Sequence, residues 1–134
     1  MKMFRLHSEV FIKESLERVF PFFSNVGNLQ RITPPWLNFE VLTPAAIEIK
    51  HGQYVDYRLK VRGFPLRWRS EITVWDPPFR FVDEQIHGPY KVWRHEHTFT
   101  ERDGGALCID SVSYAVLGGS LVNQLLVEPD LKRI

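Results

Sequence analysis

The chain contains 134 residues, with 17 Lys and Arg against 16 Asp and Glu. This length fits one domain, so residues 1–134 are expected to form a single domain. The near-neutral charge without a basic stripe argues against a nucleic-acid partner, and the lone Cys108 excludes an internal disulfide and fits a reducing compartment. No apolar run approaches the ~20 residues of a membrane span, and no signal-peptide pattern comes before the first strand, so a cytoplasmic protein is expected.

The first third of the sequence predicts a strand, two short helices and another strand. "FRLHSEVFI" (4–12) alternates apolar and polar residues, which predicts a strand. Ser15 is a candidate N-cap for a helix through "LERVFPFF", which Pro21 weakens or kinks. "NVGNLQRIT" predicts a second short helix that ends before Pro34, and "NFEVLT" (38–43) predicts the next strand.

From residue 54 to residue 116 the sequence predicts an antiparallel meander. Alternating runs are separated by four candidate turns, Gly63-Phe64-Pro65, Asp76-Pro77-Pro78, His87-Gly88-Pro89 and Asp103-Gly104-Gly105. Short connections require neighbouring strands to be antiparallel, and directly opposed residues then point to the same face of the sheet. The predicted pairs are His97–Asp110, His95–Val112 and Trp93–Tyr114, then Phe81–His95 and Asp83–Trp93, then Val74–Phe81, Ile72–Asp83 and Ser70–Gln85, and finally Tyr57–Ile72 and Val61–Trp68.

This register gathers apolar side chains on one face, the inner face, and charged side chains on the other. The aromatic residues predicted on the inner face are Tyr57, Trp68, Phe79, Phe81, Trp93, Phe99 and Tyr114. The polar residues predicted among them are Ser70, Asp83, Gln85, Lys91, His95, His97 and Asp110. After the meander, "GGSLVNQLLVEPDLKRI" predicts a C-terminal helix with Ser120 as its N-cap and a break at Pro129. Apolar residues recur up to Ile134, so we expect the helix to be longer in the natural protein.

The mixed character of the inner face predicts a cavity. Burying polar groups in a dry core costs about 1–3 kcal/mol for each group left unpaired, and a wet cavity between the sheet and the C-terminal helix avoids this cost. Aromatic walls with a few polar groups are typical of small-molecule sites, although a solid core with an internal hydrogen-bond network is the alternative. The predicted lining residues are Tyr57, Trp68, Ser70, Phe81, Asp83, Gln85, Trp93, His95, His97, Phe99, Val112 and Tyr114.

Three segments carry a resemblance to a known superfamily: "ERVFPFFSNVGNLQRITPPWL", "PPFRFVDEQIHGPYKVWRHEHTF" and "GGSLVNQLLVEPDLKRI". They resemble a bacterial cyclase/dehydrase branch of the START-like superfamily, also called SRPBCC, which includes polyketide cyclases, coenzyme-Q-binding proteins and birch-pollen allergens. The resemblance implies an α+β helix-grip fold, in which a curved antiparallel sheet wraps around a C-terminal helix. It further implies a small hydrophobic ligand, such as a lipid, an isoprenoid quinone or a polyketide, and a sugar-nucleotide epimerase-like protein as a partner.

The two histidines of "WRHEHTF" allow three interpretations. A metal site needs a third ligand. Asp110 is best placed and Asp83 lies farther across the sheet, but there is no clear third histidine or cysteine, so no metal is predicted. In an enzyme, Asp110 would orient His97 as a general base and His95 would be a second proton handler, as in a cofactor-independent cyclase or dehydratase. In a binding protein, the same residues form a polar strip in an aromatic pocket. We favour this last interpretation, which requires no cofactor.

Overall fold

The protein is described by a computed structural model that covers residues 2–25, 28, 40–42, 49–61 and 64–116. These residues form a seven-stranded antiparallel sheet and one helix. The elements are β1 (Phe4–Ile12), α1 (Leu16–Ser24), β2 (Glu40–Val41), β3 (Tyr54–Val61), β4 (Phe64–Asp76), β5 (Arg80–His87), β6 (Val92–Arg102) and β7 (Gly105–Ala115). The strand order is β1-β7-β6-β5-β4-β3-β2, which confirms the predicted meander.

Several predictions concern residues outside this part of the chain. Of the predicted second helix, the structure describes only Asn25 and Asn28. The C-terminal helix predicted from Ser120 also lies outside the described residues.

The hairpin of β6 and β7 has the predicted register. Asp103 and Gly104 have φ values of 49° and 77°, the left-handed conformation that a two-residue hairpin turn requires at both positions. This turn sets His97 opposite Asp110 and Trp93 opposite Tyr114, as predicted.

Two other hairpins have registers that differ from the prediction. Phe81 lies opposite His97 instead of His95, a shift of two residues, because the connection after β5 is longer than the three-residue turn assumed. Tyr57 lies opposite Trp68 instead of Ile72, a shift of four, because β3 continues to Val61, which pairs with Phe64. Both shifts are even, so each side chain keeps the face that was predicted for it.

An irregularity in β4 corrects two further predictions. Ser70 and Ile72 pair with β5 as predicted, but the register shifts between Ile72 and Val74, so that Trp75 instead of Val74 lies opposite Phe81. Such a bulge reverses the alternation of side chains, and Trp75 packs in the inner core while Val74 turns to the other face. Phe79 was also expected on the inner face, but it lies in the turn after β4 and is 54% exposed.

Helix α1 covers one end of the inner face. Ser15 occupies the predicted N-cap position with extended backbone angles, although its side chain forms no capping hydrogen bond, and the helix continues through Pro21. The apolar side of the helix is buried, and Phe20 contacts the rings of Phe81 and Phe99 at centroid distances of 5.6 and 5.3 Å. No helix within the described ranges is both long enough and apolar enough to cross a lipid bilayer.

The outer face carries cross-strand ion pairs, as the alternation of charged residues predicted. Arg69 donates to Asp56 at 2.7 Å and Arg80 donates to Glu96 at 3.0 Å. These pairs are solvated and contribute little stability individually. The polar side chains of the inner face, in contrast, are surrounded by apolar residues.

Candidate functional site

A band of polar side chains crosses the inner face from β7 to β3. We call this set the polar band; its members are Asp110 on β7, His95 and His97 on β6, Asp83 on β5, Ser70 on β4 and Tyr57 on β3. On one side lie the ring of Phe20 on α1 and the rings that it contacts, those of Trp75, Phe81 and Phe99, which we call the helix-side cluster. On the other side lie Trp68, Tyr90, Trp93 and Tyr114, which we call the aromatic cluster. Polar groups are therefore enclosed between two apolar surfaces.

His97 lies at the centre of a hydrogen-bonded network. Its Nε2 atom is 2.8 Å from Asp83 Oδ2, and its Nδ1 atom is 3.1 Å from Asp110 Oδ1. His95 Nε2 lies 3.1 Å from the same oxygen of Asp110. The side chain of His97 is only 14% exposed. One imidazole is thus held between two carboxylates, and a second imidazole shares one of them.

The network fixes the charges of its members. Burial lowers the pKa of an imidazole, but the hydrogen bonds to Asp110 and Asp83 outweigh this effect and raise the pKa of His97 to about 9 from its ordinary 6.5. Burial raises the pKa of the Asp110 carboxyl, yet hydrogen bonds from His95 and His97 hold that pKa well below its usual range. In the absence of other ligands, His97 is therefore an imidazolium at neutral pH.

Ring stacking orients the two imidazoles. The His97 ring stacks on Phe81 at a centroid distance of 4.1 Å and an interplanar angle of 11°, and on the other side it meets the His95 ring at 3.7 Å. The edge of His95 faces Trp93 at 6.5 Å. Both rings are therefore held by apolar neighbours as well as by hydrogen bonds.

A second hydrogen-bonded group continues the polar band toward β3. The Ser70 hydroxyl is 2% exposed, accepts a hydrogen bond from Trp68 Nε1 at 2.9 Å and lies 3.1 Å from the Tyr57 hydroxyl. Burial and the nearby charge of Asp83 raise the pKa of Tyr57, so its phenol stays neutral. This group offers hydroxyls without charge, beside a network that is charged.

The structure brings most of the predicted site residues together, with a few exceptions. Gln85 is occupied in the β5–β6 connection, where its amide bonds the backbone N–H and C=O of Tyr90. Lys91 is exposed. Val112 is buried in a core patch with Phe4 and Leu6, which also contains the Tyr114 ring of the aromatic cluster. Cys108 is buried beside Phe99 as a small apolar residue, and burial raises the pKa of its thiol.

Three contributions to the site were not predicted from the sequence. Asp83 was expected to lie away from the histidines, but the two-residue register shift places it opposite His95 and diagonal to His97. Tyr90 was not among the predicted lining residues, yet its ring lies 4.8 Å from that of Trp93. Trp75 reaches the inner face only because of the bulge in β4, for which the sequence carries no signal that we recognise.

Comparison with known families identifies the relatives of this fold. The family described as polyketide cyclase / dehydrase and lipid transport matches residues 12–134. The chain belongs to this family. This match confirms the resemblance to the START-like superfamily.

Solved structures support the same fold at low sequence identity. A protein from Arthrobacter aurescens superposes with a TM-score of 0.73 at 14% identity, covering 96% of this chain and 77% of its own. Norcoclaurine synthase from Thalictrum flavum has a TM-score of 0.68 at 15% identity, covering 96% and 76%. The major latex-like protein 151 from Panax ginseng has a TM-score of 0.66 at 18% identity, covering 98% and 96%. No curated protein sequence matches the chain significantly.

Proposed function

We propose that this polyketide cyclase / dehydrase family member binds a small apolar or aromatic molecule on the inner face of its sheet. The observation that carries the proposal is the polar band enclosed between the helix-side cluster and the aromatic cluster. Such a surface matches a ligand with a large apolar body and one or two polar groups, such as a polyketide, a quinone or a lipid. We expect the predicted C-terminal helix to cover the ligand from the side opposite the sheet.

The uncharged part of the polar band, formed by the hydroxyls of Tyr57 and Ser70, is suited to a ligand. The hydroxyls of Tyr57 and Ser70 can exchange hydrogen bonds with a carbonyl or phenol oxygen at little cost, because neither side chain is charged. The rings of Trp68 and Trp93, which meet edge to face at 5.2 Å, offer an aromatic wall next to these hydroxyls.

The alternative function is a cofactor-independent cyclase or dehydratase on the same face. In that mechanism His97 was expected to act as a general base oriented by Asp110. A base needs a free lone pair, and both ring nitrogens of His97 lie within hydrogen-bond distance of carboxylates. The geometry therefore supports binding better than proton abstraction by His97.

The proposal is tested with 8-anilinonaphthalene-1-sulfonate, a fluorescent aromatic probe, added to the full chain. We expect saturable binding, and Trp93→Leu should weaken it by about tenfold, equivalent to ~1.4 kcal/mol, because an aromatic wall is lost. The matched control is Phe79→Leu, which removes an exposed ring and should leave the affinity unchanged. Absence of saturable binding, or equal loss in both variants, would contradict the proposal.

A second measurement separates binding from catalysis. Native mass spectrometry of gently purified protein should detect a co-purified apolar molecule, which is then supplied to the wild-type protein and to His97→Gln and Asp110→Asn. Conversion of the molecule by the wild type, lost in both variants while affinity is retained, would favour the enzyme. Unchanged molecule with retained affinity supports the binding protein.

A further inference from the structure

The charged part of the polar band contains the donor atoms of a metal site. We propose that Asp83, His95 and His97 bind one divalent transition-metal ion of the zinc(II) or iron(II) class. This proposal does not depend on the binding of an organic ligand. The sequence argued against a metal because no third histidine or cysteine was available and Asp83 was expected farther across the sheet, whereas the structure places Asp83 Oδ2 2.8 Å from His97 Nε2.

The geometry of the donors carries the proposal. One carboxylate oxygen of Asp83 and one ring nitrogen each of His95 and His97 lie within 4.8 Å of one another. Donors bound to one ion at ~2.0–2.2 Å lie roughly 3–4 Å apart, so small side-chain rotations would complete the site. The two histidines are separated by one residue on β6, which directs both rings to the same face, and the carboxylates approach from the neighbouring strands β5 and β7.

Charge and orientation favour a cation at this position. Two carboxylates face two imidazoles, and the same oxygen of Asp110 lies 3.1 Å from a nitrogen of each histidine. In the metal-free protein His97 donates its ring protons to the two carboxylates, so an ion must displace the proton from the nitrogen that it binds, and the two carboxylates then balance its double charge. The stacking of His97 on Phe81 holds its ring in place before any ion arrives.

The donor types indicate which ion binds. Imidazole nitrogens suit Zn²⁺, Fe²⁺ and Co²⁺, whereas Mg²⁺ and Ca²⁺ prefer oxygen ligands alone. Two histidines and one carboxylate are also a donor set that leaves coordination positions open for water or for an oxygen of a bound molecule. The ion would thus add Lewis acidity to the inner face.

The proposal is tested by titrating metal-free full-length protein with Zn²⁺ by calorimetry and with Co²⁺ by visible absorption. We expect one ion per chain and a ligand-field band of bound Co²⁺. Asp83→Asn and His95→Gln should each weaken binding by more than about 100-fold, since loss of even an outer-shell partner costs 10–100-fold. The matched control is His7→Gln, because His7 forms an exposed pair with Glu9 at 3.0 Å and should not affect binding.

A measurement on the wild type covers the case in which a variant fails to fold. Long-range nitrogen–proton correlation spectra resolve the imidazoles of all five histidines, and Zn²⁺ should shift only the signals of His95 and His97. The proposal is overturned if no saturable one-to-one binding occurs, if His7→Gln abolishes it, or if Zn²⁺ shifts the signals of other histidines instead. Metal binding and probe binding are measured separately, so failure of one proposal leaves the other intact.

Discussion

His97 couples the stability of the metal-free protein to pH. In the folded chain burial lowers the pKa of His97, but hydrogen bonds with Asp110 and Asp83 outweigh burial and raise the pKa from 6.5 to about 9. A group with a raised pKa contributes its full stabilisation below its ordinary pKa, and the contribution disappears as pH rises through the folded value. For His97 this effect is at most on the order of 3 kcal/mol, and it is lost between neutral and alkaline pH. Asp110 has a lowered pKa, so its contribution is lost on acidification.

The first prediction is that His97→Gln flattens the alkaline side of the stability profile. With metal removed by a chelator, the free energy of unfolding in urea should fall for the wild type between about pH 6.5 and about pH 9.5, while that of His97→Gln stays nearly level. The control is His7→Gln, in which an exposed histidine is removed and the wild-type slope should remain. The same slope in His97→Gln and the wild type would show that the network does not hold the proton.

At the scale of elements, the connection between β5 and β6 depends on a clamp. The Gln85 amide donates to Tyr90 O at 2.6 Å and accepts from Tyr90 N at 3.1 Å. A Cβ at Gly88 would lie 2.5 Å from Gln85 Oε1, which is closer than the two atoms can approach. A side chain at position 88 would therefore displace the Gln85 amide from its hydrogen bonds with Tyr90.

The second prediction is that Gly88→Ala destabilises the protein by about 1–3 kcal/mol, because the clamp is displaced and backbone groups of Tyr90 lose their partners. Urea unfolding measures the change. In a Gln85→Ala background the same substitution should cost much less, since the clash and the clamp are already absent. Equal costs in both backgrounds would mean that Gly88 serves another purpose.

The strands also show which features the sequence could predict. Alternation of apolar and charged residues fixes the face of each side chain, and it is unaffected when a hairpin shifts by two or four residues. For this reason Tyr57 and Asp83 were assigned to the correct face, each with the wrong partner across the shifted hairpin. An odd shift, such as the one between Ile72 and Val74 in β4, exchanges faces, and it placed Trp75 instead of Val74 on the inner face. Distances in the site depend on the register itself, so the Asp83–His97 contact could not be derived from alternation.

At the scale of the whole molecule, the polar band separates the two clusters of rings on the inner face, but the strands of the sheet run continuously from one cluster to the other. β6 runs through the helix-side cluster at Phe99, through the polar band at His97, and through the aromatic cluster at Trp93. β4 and β5 likewise connect the band to the rings under α1. Because the same strands carry both clusters, disruption of one cluster should destabilise the other. We therefore expect residues 1–134 to unfold as one cooperative unit.

The last prediction tests this coupling with Phe20→Ala, which removes a ring that is 3% exposed and contacts three others. The substitution should destabilise the protein by about 3–5 kcal/mol. In a background with Trp36→Phe and Trp75→Phe, fluorescence reports on Trp68 and Trp93 in the aromatic cluster, while far-ultraviolet circular dichroism reports on the sheet.

Both signals should shift to the same lower urea midpoint, because the β6 strand links the two clusters. Phe22→Ala on the same helix is the control, since that ring is 40% exposed and its loss should change stability by far less. Two separate transitions, with the aromatic cluster unfolding after the sheet around α1, would show instead that the charged network at His97 isolates the two ends of the inner face from one another.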